Sequence, residues 1–189
     1  MFTLEGKVTF INIDQHYLKK LHDACSEVYY KSSGYGNKPY IGILINKDDR
    51  KYVIPLSSAK EKHKTWKNVD KECFLIYEMT KKSCMGESDI WVDTEEDRVK
   101  HILSVMDIKK MIPVVDGVFN KVNINPDESD PEDIKKYKDL LNKEYSFCLK
   151  IINEVIGKAN KLYDKQMKTG KVVKFCCDFK VLEEIADSN

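Results

Sequence analysis

Apolar and polar positions along this chain follow two periods, and the change from one to the other divides it. Lys7-Val-Thr-Phe-Ile-Asn-Ile13 alternates and is β-branched, which predicts a strand. Asp14 then stands as the N-cap of a helix carrying Tyr17, Leu18, Leu21 and Ala24 along one side. Ser32 to Pro39 is a loop by composition, with glycines, serines, an asparagine and a proline. Tyr40 to Ile45 reads as a buried strand. The polar turn Asn46 to Arg50 folds it back into Lys51 to Leu56, an antiparallel hairpin. Gly42 marks a bulge or a close backbone approach within the hairpin.

Cys73 to Glu78, Ile102 to Met106 and Met111 to Val115 are further apolar runs of strand type, and Val118 to Ile124 adds one more. Thr80 to Asp93 fits neither period and reads as an excursion. Asp130-Pro131-Glu132-Asp133 then starts a helix, with an N-cap, proline at the first helical position and acids in the first turn. Ile134, Tyr137, Leu141, Tyr145, Cys148, Ile152, Val155, Ala159, Leu162 and Met167 recur at helical spacing, and Gly170 ends the pattern. The span is long for one helix, and Asn153 and Gly157 are the points at which it would break. Val172 to Cys176 reads as a final strand, followed by a short helix capped by Asp178. Strands grouped before helices predict an α+β fold, a small twisted antiparallel core or half-barrel with helices around it, rather than βαβ units.

At 189 residues the chain is expected to form one domain over 1–189, with its helical region at about 131–169. No apolar run is long enough to span a bilayer, and the N-terminus lacks a secretory pattern, so a cytoplasmic location is expected. Cys25, Cys73, Cys84, Cys148, Cys176 and Cys177 show no Cys-x-x-Cys spacing and read as reduced, packed thiols. A net charge of +1 does not announce a nucleic-acid binder, but charge is segregated. Lys158, Lys161, Lys165, Lys168, Lys171 and Lys174 oppose only Asp164, whereas Glu87 to Asp97 and Asp127 to Asp133 are acidic.

Candidate chemistry concentrates after the second hairpin strand. Ser57 and Ser58 stand at its end and run into Lys60, Lys62, His63 and Lys64. Two hydroxyls beside several ammonium groups can hold a phosphate, and His63 can carry a proton near neutral pH. Phosphoryl transfer on RNA needs such preorganised donors at the non-bridging oxygens. The same residues also fit a helix N-cap, and a helix start itself favours phosphate. The hairpin returns Tyr35 and Lys38 to the edge where the serines lie; Tyr35 could stack on a base or hold a phosphate. No Gly-x-Ser-x-Gly elbow, glycine-rich phosphate loop or His/Asp metal spacing is present, so a nuclease built here is expected to need neither metal nor cofactor.

Asn37-Lys-Pro-Tyr-Ile-Gly-Ile-Leu44, Lys51-Tyr-Val-Ile-Pro-Leu-Ser-Ser-Ala-Lys60 with His63, Lys109-Lys-Met-Ile-Pro-Val114 and Cys177-Asp-Phe-Lys-Val-Leu-Glu-Glu184 together resemble the ToxN/AbiQ family. The resemblance implies a type III toxin–antitoxin endoribonuclease of bacterial phage defence (abortive infection) with a small open antiparallel β-barrel core similar to the Kid/MazF fold. It implies RNA cleavage without metal to a 2′,3′-cyclic phosphate and a 5′-hydroxyl. It further implies inhibition by a small pseudoknotted RNA antitoxin, which the toxin also processes, in a protein–RNA assembly. By motif position Ser58 matches the family's essential serine, Ser57 a common threonine, Lys60 the nearby lysine, Lys38 the lysine before the strand and Tyr35 a family tyrosine. His63 joins them as a candidate for proton transfer, and Lys62, Lys64 and the row Lys158 to Lys174 as RNA-binding groups. Two other readings remain: a non-catalytic RNA-binding protein using the same basic face, and a toxin restrained by a protein antitoxin.

Overall fold

The computed structural model describes residues 1–31, 39–45, 49–70 and 72–189. Among them the elements run β1 (Thr3–Leu4), β2 (Phe10–Ile13), α1 (Gln15–Ala24), β3 (Tyr40–Ile45), β4 (Lys51–Ser58), β5 (Cys73–Lys81), β6 (Ile90–Asp93), β7 (Arg98–Asp107), β8 (Ile112–Val114), β9 (Phe119–Lys121), α2 (Glu132–Thr169) and α3 (Phe179–Asp187). Short 3-10 turns occupy Glu61–Thr65, Lys82–Cys84 and Ile108–Lys110.

The sheet is antiparallel throughout, and β4 is its centre. β3 pairs along one edge of β4, with Tyr40 opposite Pro55 and Ile45 opposite Lys51. Along the other edge β8 covers Lys51 to Val53 and β7 covers Leu56 to Ser58. Pro55 falls between those two ladders. Leu56 donates its N–H towards Pro39 on the β3 side, so the nitrogen of Pro55 faces the gap. A proline without an N–H is tolerated in a central strand where no ladder bond is needed. The turn Ile108–Lys110 lets the chain leave β7 and resume as β8. Gly42 has φ 68°, and the β3–β4 register shifts between Ile41 and Leu44, so the expected bulge is present and rests on a conformation glycine adopts freely.

The strand path β5-β7-β4-β3-β2-β9 ends on two strands that do not pair with each other. The sheet is therefore open. The α+β class holds, with three helices among the described residues, but the barrel expected from the family resemblance is not formed.

Helix α2 runs unbroken through Asn153 and Gly157, where a break was expected. Its buried stripe of Leu141, Cys148, Val155, Ala159 and Leu162 continues across both residues, and burying that stripe outweighs the roughly 1 kcal/mol cost of one helical glycine. Pro131 rather than Asp130 sits at its N-cap, and Asp130 instead accepts a bond from Lys138 Nζ at 2.5 Å. The strand expected over Val172–Cys176 is absent. Gly170 caps α2 in the left-handed region, and a turn with Phe175 at φ 62° leads into α3. The six cysteines are all free. No helix among the described residues is long and apolar enough to cross a membrane.

Two contacts fasten the helices, one to the sheet and one to each other. The rings of Phe2, Tyr52, Tyr163 and Phe179 meet edge-on or stacked at 5.0–6.0 Å, and the Tyr52 and Tyr163 hydroxyls both donate to Glu183 Oε1 at 2.9 and 2.7 Å. Buried Gln166 accepts from the Phe179 N–H at 2.6 Å and donates to the Cys177 carbonyl at 3.1 Å, tying α2 to the start of α3. Gln166→Leu leaves both backbone groups buried and unpaired. Such orphaning costs about 1–3 kcal/mol per group, so chemical denaturation should show a loss of roughly 2–6 kcal/mol.

Candidate active site

A strand that is apolar for five residues and then hydroxylated delivers its polar end to the surface. Tyr52 to Leu56 are buried, Ser57 is half-buried and Ser58 is exposed. Alternation points the two serines to opposite sides of the sheet. Ser57 lies opposite Val105, and its Oγ approaches the Val105 carbonyl at 3.5 Å. Ser58 lies opposite Ser104, whose hydroxyl is fully buried without a hydrogen-bond partner among the described residues.

A cavity of about 440 Å³ opens beside this strand end, lined by Ser57, Ser58, Lys60, Lys62 and His63 together with Tyr29, Tyr30, Lys31, Tyr40, Trp66 and Asp107. Five of the candidates read from the sequence thus share one cavity. Tyr35 and Lys38 lie outside the described residues. Lys64 is turned to Glu61 at 2.9 Å and to the face of Trp91 at 6.0 Å. The later lysines do not line the cavity. Lys158 packs over the Phe74 ring and donates to the Asp70 carbonyl at 3.0 Å, while Lys161, Lys165, Lys168, Lys171 and Lys174 are exposed. Lys168 approaches Asp164 at 3.8 Å, and Lys174 lies over the Phe175 ring.

The segment after Ser58 is a 3-10 turn rather than an α-helix start, and His63 builds it. The Lys60 N–H donates to His63 Nδ1 at 2.9 Å, and the His63 N–H donates to the Lys60 carbonyl at 2.8 Å. The first bond leaves the imidazole proton on Nε2. The ring is 3% exposed and packs edge-on against Trp66 at 4.6 Å. Burial, then the charges of Lys62 and Lys60, hold its pKa below the ordinary value. Both effects favour the neutral ring, whose Nδ1 fixes the backbone of Lys60.

Three groups missed in the sequence complete the cavity. Tyr29 forms a wall over which Lys110 Nζ sits at 5.6 Å, and Lys110 is itself paired with Glu27. Lys31 adds a third cationic side chain. Asp107 follows Val105 by two positions on β7, so it shares the face of Ser57, and burial raises its carboxyl pKa against the pull of Lys109. No local motif announces these residues; only the pairing of β7 with β4 brings Asp107 to the serines. Hydroxyl donors, lysines and one carboxylate of raised basicity can together bind a phosphodiester and accept a proton.

The sequence profile of the family described as "Toxin ToxN, type III toxin-antitoxin system" matches residues 9–187. The endoribonuclease AbiQ of Lactococcus lactis subsp. lactis is 28% identical over 187 residues, which span 95% of this chain and 88% of that protein. A solved structure of AbiQ, described as a lactococcal anti-phage endoribonuclease of a type III toxin–antitoxin system, superposes with a TM-score of 0.68. It is 24% identical and covers 97% of this chain and 98% of its own. Another, from work on selective toxin inhibition by a non-coding RNA pseudoknot in such systems, gives a TM-score of 0.66 at 24% identity with the same coverages. These two likenesses carry the fold.

Protonation tests the role of His63. Its folded pKa lies below the ordinary value near 6.5, so the unfolded chain takes the proton first as pH falls. The contribution of His63 is complete above that value and is lost as pH drops towards the folded pKa. His63→Asn keeps an acceptor for the Lys60 N–H but does not titrate there. Thermal unfolding midpoints between about pH 5 and 8 should fall less steeply for the variant on the acid side of 6.5.

Proposed function

The chain belongs to the ToxN toxin family of type III toxin–antitoxin systems, and we propose that its Ser57–Lys60 strand end is where it cuts RNA. It is an endoribonuclease toxin, and its antitoxin is an RNA. The family match supports this reading, as do the named endoribonuclease AbiQ and the neighbour studied with an RNA pseudoknot. The anti-phage description of AbiQ supports a role in phage defence, and an enzyme acting on RNA with an RNA antitoxin would work in the cytoplasm. The whole of 1–189 acts as one toxin domain.

The observation that carries the site is the shared cavity of Ser57, Ser58, Lys60 and Asp107. The scissile phosphate lies at the strand end, with Ser57 and Ser58 donating to its non-bridging oxygens and Lys60 opposing the charge that grows on them. The 2′-hydroxyl attacks phosphorus and yields its proton to the Asp107 carboxylate, because a serine hydroxyl is a poor base at neutral pH. The bond to the 5′-oxygen breaks, and that oxygen takes a proton from the Lys60 ammonium. The products are a 2′,3′-cyclic phosphate and a 5′-hydroxyl, with the charge stabilisation supplied by lysines and hydroxyls rather than a metal. Lys38 and Tyr35, carried by the motif match, join the phosphate from the loop before β3. His63 holds Lys60 in place. Lys62 and Lys64, with the exposed lysines from Lys161 to Lys174, bind the RNA backbone of the antitoxin.

Purified protein incubated with RNA and a chelator should yield cyclic-phosphate ends. Ser58→Ala and Lys60→Met should lower kcat by 10²-fold or more, and Asp107→Asn by roughly 10²-fold, with folding and RNA binding retained. Full cleavage by Ser58→Ala would sink the site assignment; RNA binding without cleavage by the wild type would favour the non-catalytic reading.

Backbone contacts by the lysine row predict a salt dependence. With Lys161, Lys165 and Lys168 all replaced by glutamine, the slope of log affinity against log salt for a labelled pseudoknotted RNA should flatten by about two. An unchanged slope would move the RNA to another face.

A further inference from the structure

Ser58 lines a second cavity as well as the first. This one, of about 800 Å³, lies on the other side of the strand end, between the sheet and the first turns of α2. Its position follows from the register. On β7 Ser104 pairs with Ile76 while Ile102 pairs with Tyr77, which leaves Leu103 as an extra residue. That one-residue shift moves His101 to the side of the sheet that Ser58 and Ser104 share, directly opposite Glu78.

Glu78 is the polar centre of this cavity. His101 Nδ1 lies 3.1 Å from Glu78 Oε1, and Lys143 Nζ of α2 reaches the same oxygen at 3.1 Å. Both contacts fall on Oε1, so among the described residues Oε2 keeps its lone pairs for a ligand. Met85 and Leu140 supply apolar surface to its lining, and Lys143, 40% exposed, also pairs with Asp139 at 3.2 Å. An acceptor oxygen, apolar surface and a partly exposed lysine together match the edge, faces and phosphate of a nucleotide. A carboxylate accepts from the exocyclic amine of adenine, cytosine or guanine and repels the carbonyl oxygens of uracil.

We propose that this second cavity is a nucleotide subsite for the RNA cut at Ser58, that it takes an amino-bearing base, and that Glu78 reads the base. The assignment rests on the endoribonuclease function. Ser58 sits on the ridge between the two cavities. A phosphate held there directs one flanking nucleotide towards Glu78 and leaves the other on the Tyr29 side.

The test is cleavage of a random-sequence RNA pool by the full chain, with the new ends sequenced. Wild-type protein should disfavour uracil at one position beside the cut. Glu78→Gln should reduce that preference roughly tenfold, because the amide presents a donor where an acceptor was. Lys143→Met should raise KM and leave the base preference intact. Leu140→Trp, which fills the cavity from α2 without touching Glu78, should raise KM severalfold and guards against a Glu78 variant that fails to fold. Wild-type cutting with no base preference at either flanking position, or an unaltered preference in Glu78→Gln with an unaltered KM in Leu140→Trp, overturns the subsite and leaves the nuclease standing. An intact wild-type protein that makes no cuts takes down the nuclease reading and the subsite with it.

Discussion

The structure depends on β4 being paired along both edges. β3 holds one side from Lys51 to Pro55, β8 holds the other over Lys51 to Val53, and β7 takes over from Leu56 to Ser58, so the strand stays paired to its last residue. Two hydroxyls on a free strand end would sample many positions. Here their backbone is held by the β7 ladder, which continues the strand of buried Tyr52 to Leu56. The ladder tolerates Pro55 because the change of partner from β8 to β7 leaves a gap at that residue, and the gap opens where the chain turns at Ile108–Lys110. Asp107 stands at the start of that turn, where its carboxylate accepts the Lys109 N–H at 3.0 Å. One irregularity in the sheet thus accommodates the proline and presents the carboxylate.

Much of this was legible because it is local. The strand over Phe10–Ile13 (shorter than the Lys7–Ile13 expected), the Asp14 cap, the hairpin through β3 and β4, the bulge at Gly42 and the Gly170 stop each depend on residues a few positions apart, and each is found. The errors came where distant contacts decide. α2 passes Gly157 because its buried stripe continues beyond it, which no window of a few residues can weigh. Val172–Cys176 has strand composition, yet buried Gln166 engages the Cys177 carbonyl and the Phe179 N–H and directs the chain into α3 instead. The openness of the sheet was not readable either, since closure depends on whether β5 and β9 meet.

The site divides in the same way. Ser57, Ser58, Lys60 and His63 are neighbours in sequence, so their grouping was visible, although the purpose of His63 was not. A histidine among lysines reads as a proton carrier. Packed against Trp66, it instead accepts the Lys60 N–H at Nδ1, and burial lowers its pKa. Asp107, Tyr29 and Glu78 were invisible because each reaches the serines through strand pairing or loop packing. The β7 bulge is the sharpest case: one extra residue moves His101 to the opposite face, and nothing in the composition around Leu103 signals it.

A site on the ridge between two cavities constrains its substrate. Stacked bases in an A-form helix lie on one side of their backbone, in a continuous column. A phosphate at Ser58 with its neighbours drawn to opposite faces of a strand requires that column to be broken. Duplex RNA resists this by its stacking and pairing energy, whereas a single-stranded loop or junction concedes little. Selectivity for unpaired RNA then follows from the alternation of two adjacent serines, before any base is read. On the proposed function, an antitoxin of compact, folded RNA binds the exposed lysines while its paired regions are protected from the cut.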